Sequence, residues 1–162
     1  MTKTDYLPLE EDFEIQYVRP EAKNLYENGF PQPATPFSAG CDLAACLMEK
    51  EIFLEKGARI KIPTGLAIQP LKRGLAGFIY SRSGLGAKDG LIVAQGVGLV
   101  DPDYTGEIFV FILNTCGEKR TISHGQRIAQ LVIQPFVRPK WRQVATLAKT
   151  ERGAGGFGHT GI

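Results

Sequence analysis

Short β-prone runs that end at Gly, Pro or Asp recur along this chain and constrain its fold more than any other feature. Residues 107–113 read EIFVFIL, an aromatic and β-branched run in which no polar residue follows Glu107. Such a run is typical of a strand buried on both faces. No window of a dozen residues has helical periodicity without Gly or Pro, and the best short helix is 83–88. The pattern predicts an all-β subunit built as a sandwich, barrel or jelly roll.

Other strands are predicted wherever apolar and polar residues alternate or an apolar run is bounded by turn residues. They cover residues 13–18, 58–62, 65–69, 75–80 and 127–137. Residues 96–107, GVGLVDPDYTGE, are predicted to form a β-hairpin because Pro102-Asp103 is favourable turn chemistry.

Composition limits the classes of function. The 162 residues allow one ordinary domain, and a net charge of +2 argues against a nucleic-acid or membrane-surface binder. No apolar run is long enough to span a membrane, and the acidic N-terminus lacks the apolar core of a signal peptide. Three cysteines without a C-x-x-C pair predict reduced thiols, and two histidines argue against a zinc site. We therefore expect a cytoplasmic protein.

Two segments carry groups suited to phosphate or metal. In AGCDLAA, residues 39–45, Asp42 is a carboxylate within an apolar run, so it needs a charged partner or a metal, or else it caps a turn. SRSGLG, residues 81–86, follows a predicted strand and offers a guanidinium and hydroxyls to a phosphate. It lacks the Lys of a Walker loop, and its simpler interpretation is a solvated turn with Arg82 in an ion pair.

Two later segments carry a candidate base and a polar pair. Asp101 ends an apolar run, where desolvation would favour its use as a general base, although it could simply form an Asx turn. Tyr104 offers a flat face and a hydroxyl. Arg127 and Gln130 are three residues apart, which on a regular strand places them on opposite faces. They would then serve different partners, or form one exposed edge pair.

The last segment, TERGAGGFGHTGI at residues 150–162, is too rich in Gly to build a core. Composition alone is typical of a disordered tail. With Arg152 and Phe157 among the glycines, the segment could instead drape over a ligand and offer main-chain N–H groups to anionic oxygens.

Taken in order, these pieces resemble the five motifs of the homotrimeric dUTP pyrophosphatases (dUTPases). The matching segments are AGCDLAA, SRSGLG, GVGLVDPDYTGEI, HGQRIAQLVI and RGAGGFGHTG, within residues 39–161. The resemblance implies a jelly-roll-like all-β core at residues 1–149 and a mobile Gly-rich arm at 150–162 that closes over the nucleotide. It also implies a homotrimer whose active sites are shared between subunits.

The activity implied is hydrolysis of dUTP to dUMP and pyrophosphate, which limits uracil in DNA and supplies dUMP. Water attacks the α-phosphorus, assisted by Mg²⁺ bound to the triphosphate. By resemblance, Asp101 activates the water and Asp42 meets Mg²⁺ through water.

The resemblance also assigns the nucleotide contacts. Gly98 and Leu99 match the main chain that pairs with uracil, Tyr104 packs on the deoxyribose, and Gln95 stands where many relatives have Asn. The phosphate contacts and the arm residues that match are Arg82, Ser83, Gly84, Gln130, Arg152, Gly156, Phe157, Gly158, His159 and Thr160. Phe157 matches the ring stacked on uracil and Arg152 the γ-phosphate contact.

Three alternatives remain at this point. A dCTP deaminase shares the fold, but its general base would fall on Phe111, which cannot move a proton. A catalytically silent nucleotide sensor is disfavoured because Asp101, Arg152 and Phe157 are all present. A generic β-sandwich binding module would leave the Gly-rich segment unexplained. No nucleic-acid or membrane partner is predicted.

Overall fold

A computed structural model describes residues 10–26 and 29–156 of the chain. Those residues contain eleven strands, one short α-helix and a 3-10 helix at Pro20–Leu25. The strands are β1 Phe13–Tyr17, β2 Cys41–Ala44, β3 Glu51–Leu54, β4 Arg59–Pro63, β5 Leu66–Pro70, β6 Leu75–Ser81, β7 Leu91–Val93, β8 Gly98–Val100, β9 Phe109–Asn114, β10 Arg120–Ser123 and β11 Arg127–Pro135. Helix α1 spans Ser83–Asp89. The all-β prediction is confirmed.

The strands form small antiparallel sheets around one apolar core. The largest has the order β2-β11-β6-β8, and a second has the order β4-β9-β7. Two further pairs join β1 to β5 and β10 to β3. Leu43, Ile62, Ile112 and Ile128 are fully buried where these sheets face each other. Apolar side chains at alternate strand positions thus form the interior, as expected for packed sheets.

The local predictions agree with the structure at most strands. Each predicted strand at 13–18, 58–62, 65–69, 75–80 and 127–137 is present within two residues at either end. The predicted short helix is α1, which ends at Gly90 in the left-handed conformation with φ of 65°. A residue with a side chain would be strained there, and its Cβ would lie 2.9 Å from the Cys116 nitrogen.

Two predictions about residues 96–113 are wrong. Residues 96–107 do not form a hairpin, because β8 pairs with β6 whereas β9 pairs with β4 and β7 in another sheet. The chain therefore turns at Pro102 and crosses between sheets. Strand β9 is not buried on both faces: Val110 and Ile112 are buried, but Phe111 is 39% exposed. An unbroken apolar run does not distinguish the core from a surface that another subunit could cover.

The segment after β11 has no regular structure among its described residues, 136–156. Trp141 is 90% exposed, and Val137 and Leu147 are similarly open. Over residues 10–26 and 29–156, no helix has the length and apolarity that a membrane span requires.

Candidate active site

Asp42 lies at the centre of a charged cluster. Its carboxylate is nearly buried and accepts hydrogen bonds from Arg82, from Nε to Oδ1 at 2.8 Å and from Nη2 to Oδ2 at 3.4 Å. Arg127 Nη1 donates to the same Oδ2 at 3.0 Å. Of the interpretations left open by the sequence, the structure supports charge pairing. Two guanidiniums against one carboxylate leave a net positive site, which suits an anionic ligand.

A β-bulge brings Arg127 and Gln130 to the same face of the sheet. On β11, Arg127 lies opposite Ala44 and Gln130 lies opposite Asp42, with a shift in register between Arg127 and Ala129. Residues directly opposite each other in an antiparallel pair share a face. The prediction of opposite faces is therefore wrong, because it assumed a regular strand and the bulge inserts an extra residue.

The start of α1 lies next to this cluster. Arg82 is the N-cap of the helix, and Ser83 and Gly84 follow it as exposed residues. A Cβ at Gly84 would meet nothing within 4 Å, so space beside its backbone is open. The neighbouring Ser81 is instead engaged, since its hydroxyl accepts from the Val93 N–H at 2.8 Å. A hydroxyl and a guanidinium thus flank an accessible backbone.

The remaining core candidates line a different concavity. It has a volume of about 360 Å³ and is lined by Lys61, Ile79, Gln95, Gly98, Leu99, Val100, Asp101, Tyr104, Glu107, Ile108, Phe109 and Phe111. Strand β8 is an edge strand of the described sheet, so one side of its main chain is open to a ligand. Its other side pairs with β6, with Ile79 opposite Gly98.

The turn after β8 fixes the relation between Asp101 and Tyr104. The Tyr104 N–H donates to the Asp101 carbonyl at 3.0 Å, so Pro102 and Asp103 occupy the middle of the turn as predicted. The Tyr104 hydroxyl donates to the Glu107 carbonyl at 2.8 Å. Asp101 itself is exposed, so the expected desolvation of its carboxylate is absent in the single chain.

The described part of the C-terminal segment is separate from both groups. Arg152 donates to the carbonyls of Gly155 and Gly156, at 2.9 and 3.3 Å, and these bonds form a local turn. The structure therefore does not bring Arg152 or Gly156 to the phosphate candidates. Phe157, Gly158, His159 and Thr160 lie outside the described residues.

Asp42 and the candidates on β8 lie on opposite edge strands of one sheet, whereas Arg82 follows β6, which pairs directly with β8. Asp42 is on β2 and Leu99 is on β8, three strand spacings apart in the order β2-β11-β6-β8, or roughly 14 Å. Within residues 10–26 and 29–156, no side-chain hydrogen bond or ion pair joins the two groups.

The cluster does not provide a cage for a resident metal. The part of the chain that the structure describes has no group of three or more His, Cys, Asp or Glu suited to an ion. Both oxygens of Asp42 already accept from guanidiniums. Mg²⁺ is commonly held by substrate phosphates and water with few protein ligands, and these residues fit only a cation of that kind.

Sequence reasoning predicts Arg127 and Gln130 as a polar pair that serves different partners or forms one exposed edge pair, but it does not predict the contact of Arg127 with Asp42. It misses two further charged residues. Glu107 was read only as the end of the turn. Arg19 pairs with Glu107, and no local pattern marked it, since the two are 88 residues apart.

The family model described as dUTPase matches residues 27–161. The chain belongs to the dUTPase family. A deoxyuridine 5′-triphosphate nucleotidohydrolase of Desulfitobacterium hafniense (strain DSM 10664 / DCB-2) is 46% identical over 149 residues, covering 91% of this chain and 95% of the relative. That of Ectopseudomonas mendocina (strain ymp) is 50% identical over 131 residues, covering 81% and 86%.

Solved dUTPase structures have the same fold. A mutant dUTPase of Staphylococcus bacteriophage 80alpha with dUpNHpp gives a TM-score of 0.80 at 24% identity, covering 93% of this chain and 99% of that chain. The dUTPase of Streptococcus mutans gives a TM-score of 0.65 at 26% identity, covering 80% and 98%. The all-β dUTPase fold inferred from the five motifs is thereby confirmed.

Proposed function

We propose that this chain hydrolyses dUTP to dUMP and pyrophosphate, with water attacking the α-phosphorus. The observation that carries the proposal is the β8 edge and its turn. Within seven residues, Gly98 to Tyr104, this segment combines an open main-chain edge, a carboxylate and an aromatic hydroxyl around one concavity. Membership of the dUTPase family and two relatives named as dUTP nucleotidohydrolases support the same reaction.

Uracil would bind at the open edge of β8. The main chain of Gly98 and Leu99 offers both donors and acceptors, as a pairing base does. Gln95 lines the same concavity and can donate or accept through its amide. Tyr104, held at the end of the turn, would pack against the deoxyribose and exclude a 2′-hydroxyl.

Asp101 would act as the general base. It is exposed at the end of β8, where water can reach its carboxylate. General-base assistance contributes about 10²- to 10⁴-fold to a rate. A water activated there must meet the α-phosphorus in line with the leaving pyrophosphate.

The triphosphate would bind at the guanidinium cluster. Arg82, Ser83, Gly84 and Gln130 surround the face on which Asp42 lies. The substrate is taken as the Mg²⁺ complex of dUTP, in which the cation neutralises phosphate charge and fixes the phosphate geometry. Because guanidiniums occupy both oxygens of Asp42, we expect its contact with that cation to run through water.

We also propose a homotrimer with shared sites. Within one chain Arg152 is separate from the phosphate candidates, which supports this, because contributions from different subunits would complete each site. Leu99 and Phe111 are exposed apolar residues beside the concavity, as expected of an interface.

We assign residues 1–149 to the core and 150–162 to an arm that closes over the nucleotide. Arg152 would bring a cation to the γ-phosphate, with Phe157 stacked on uracil and Gly156, Gly158, His159 and Thr160 around the phosphates.

A cytoplasmic location is part of the proposal. Cys41, Cys46 and Cys116 are all free thiols, as a reducing compartment requires. Deamination of dCTP is not proposed, because Phe111 stands where a proton-transferring acid would be needed.

Pyrophosphate release from dUTP, UTP, dCTP and dTTP, each with Mg²⁺ and then with excess EDTA, tests the function directly. We expect fast release from dUTP alone, and its loss in EDTA. Ammonia release from dCTP would instead establish a deaminase. Tight dUTP binding without pyrophosphate release would overturn hydrolysis in favour of a nucleotide sensor.

A further inference from the structure

The N-terminal segment, residues 10–26, is hydrogen-bonded to the loop that carries Tyr104, the proposed deoxyribose contact. Arg19 lies outside residues 27–161, which the family model matches. Its Nε donates to Glu107 Oε1 at 2.7 Å and its Nη2 donates to Oε2 at 3.2 Å. The Glu107 side chain is only 9% exposed, against 33% for Arg19. The hydrogen bond to Glu107 raises the pKa of Arg19 above its ordinary value, and burial opposes that rise less strongly.

The Glu107 carboxylate has a second partner on another loop. The Gly65 N–H donates to Oε1 at 2.9 Å, and the Gly65 carbonyl accepts from the Val18 N–H at 2.8 Å. Gly65 has a φ of 71°, and a Cβ there would lie 2.5 Å from the Cβ of Ala22. Only glycine fits this site. The N-terminal segment, the Gly65 turn and Glu107 therefore form one closed set of contacts.

Glu107 in turn holds the ring of Tyr104. The Tyr104 hydroxyl donates to the Glu107 carbonyl at 2.8 Å. A Cβ on Gly106 would lie 2.7 Å from that hydroxyl oxygen and 2.8 Å from Cζ, so the ring rests directly on the backbone of Gly106. Tyr104 is 45% exposed. Core packing does not fix the orientation of the Tyr104 ring. That orientation depends on the positions of residues 106–107.

We infer that Arg19 is a positioning residue for sugar selection: by anchoring Glu107, it fixes the carbonyl that orients the Tyr104 ring against the deoxyribose. The inference rests on the proposed function and extends it to a residue beyond the five motifs. A pocket wall rejects an added hydroxyl only if it cannot move aside. The bidentate fork of Arg supplies that rigidity, which a Lys with one directed bond at a time does not match.

The test compares dUTP with UTP in Arg19→Met, which keeps an unbranched side chain without the guanidinium. The readouts are kcat and KM for dUTP and the inhibition constant of UTP against dUTP hydrolysis, so that turnover of UTP is not required. We expect the ratio of the UTP inhibition constant to the KM for dUTP to fall about tenfold, because small displacements at a site have large effects. Loss of folded protein lowers kcat alone and leaves this ratio unchanged.

Two further variants separate positioning from general packing. Lys72 lies in the loop before β6 and forms an ion pair with Glu11 of the same N-terminal segment. Lys72→Met removes this ion pair and leaves the contacts of Glu107 unchanged. It should keep the wild-type ratio. Arg19→Lys should give an intermediate ratio. If Arg19→Met does not fold, the ratio measured for Arg19→Lys tests the inference instead.

A double-variant cycle tests the route through Tyr104. Tyr104→Phe removes the hydroxyl that bonds to Glu107, so adding Arg19→Met should change the ratio by less than about twofold. An unchanged ratio in folded Arg19→Met and Arg19→Lys, or full additivity with Tyr104→Phe, would overturn the inference. Failure of the proposed function is recognised separately, because the wild-type protein would then not hydrolyse dUTP.

Discussion

Asp42 and Arg82, 40 residues apart, are joined by a two-point contact in which the guanidinium fork faces the carboxylate at 2.8 and 3.4 Å. This pair attaches β2 to the N-cap of α1, with β11 lying between β2 and β6 in the sheet. The contact orients the Arg82 guanidinium. Arg127, which is more exposed, adds a second positive charge beside the same carboxylate. The contact therefore links β2 to α1 and also fixes the direction in which a positive charge faces a ligand.

Asp42→Asn should lower the free energy of unfolding by about 1–3 kcal/mol, since it leaves two guanidiniums facing each other across a neutral amide. Urea unfolding measures this change. The matched control is Glu55→Gln, which breaks the exposed pair between Glu55 and Lys119. The control should change stability by less than about 1 kcal/mol. Equal, small effects for both variants would show that the Asp42 cluster does not stabilise the fold.

Much of the fold could be predicted from sequence because its signals are local. Alternating or turn-bounded apolar runs predicted β1, β4, β5, β6 and β11, and the short helix predicted at 83–88 is α1. The hairpin at 96–107 failed because partner choice is non-local: nothing within GVGLVDPDYTGE states that β8 joins β6 while β9 joins β4. The turn chemistry was read correctly, but the strands on either side belong to different sheets.

The site was predicted less completely, for two physical reasons. A bulge in β11 moved Gln130 onto the face of Arg127, and bulges leave little trace in a single sequence. Pairings across long separations, such as Arg19 with Glu107, depend on the finished fold. The motif resemblance supplied roles for residues whose contacts the sequence alone could not specify.

Asp101→Asn should leave folding and dUTP binding intact and reduce turnover by about 10²- to 10⁴-fold. The amide keeps the shape of the side chain but cannot accept the proton of the attacking water. Steady-state pyrophosphate release and dUTP binding together check this prediction. Asp103→Asn, an exposed acid in the same turn, is the control and should retain turnover. Normal turnover in Asp101→Asn would remove Asp101 from the role of base.

Deleting residues 150–162 should leave the assembly intact and nearly abolish activity. Among the described residues the last strand ends at Pro135 and 136–156 contain no regular element, so residues 150–156 contribute no strand pairing. Loss of the arm would admit bulk water and remove Arg152 from the phosphates. Light scattering gives the oligomeric state and pyrophosphate release gives the activity. Arg152→Ala in the full chain should show part of the same loss. A monomeric truncated protein would make the arm structural instead.

The three free cysteines should differ in reactivity toward iodoacetamide, with Cys116 reacting first. Hydrogen bonding from the backbone at Glu118 is the main cause that lowers the pKa of Cys116, and Arg120 Nη2, 3.1 Å from Sγ, also lowers it. Burial instead raises the pKa of Cys46 and of Cys41. The thiolate is the nucleophile, so a lowered pKa means a larger reactive fraction at any pH below it.

Alkylation followed by peptide mass spectrometry between pH 6 and 9 reads each cysteine separately. The Cys116 rate should rise at lower pH than that of an ordinary thiol, while Cys46 should stay unmodified in folded protein. Arg120→Gln should shift the Cys116 profile to higher pH, because the nearby positive charge is lost, and Arg120→Lys should restore part of the shift. Arg59→Gln, at an exposed position on β4, is the charge-matched control and should leave the profile unchanged. Faster modification of Cys46 than of Cys116 in folded protein would contradict the assigned environments of both thiols.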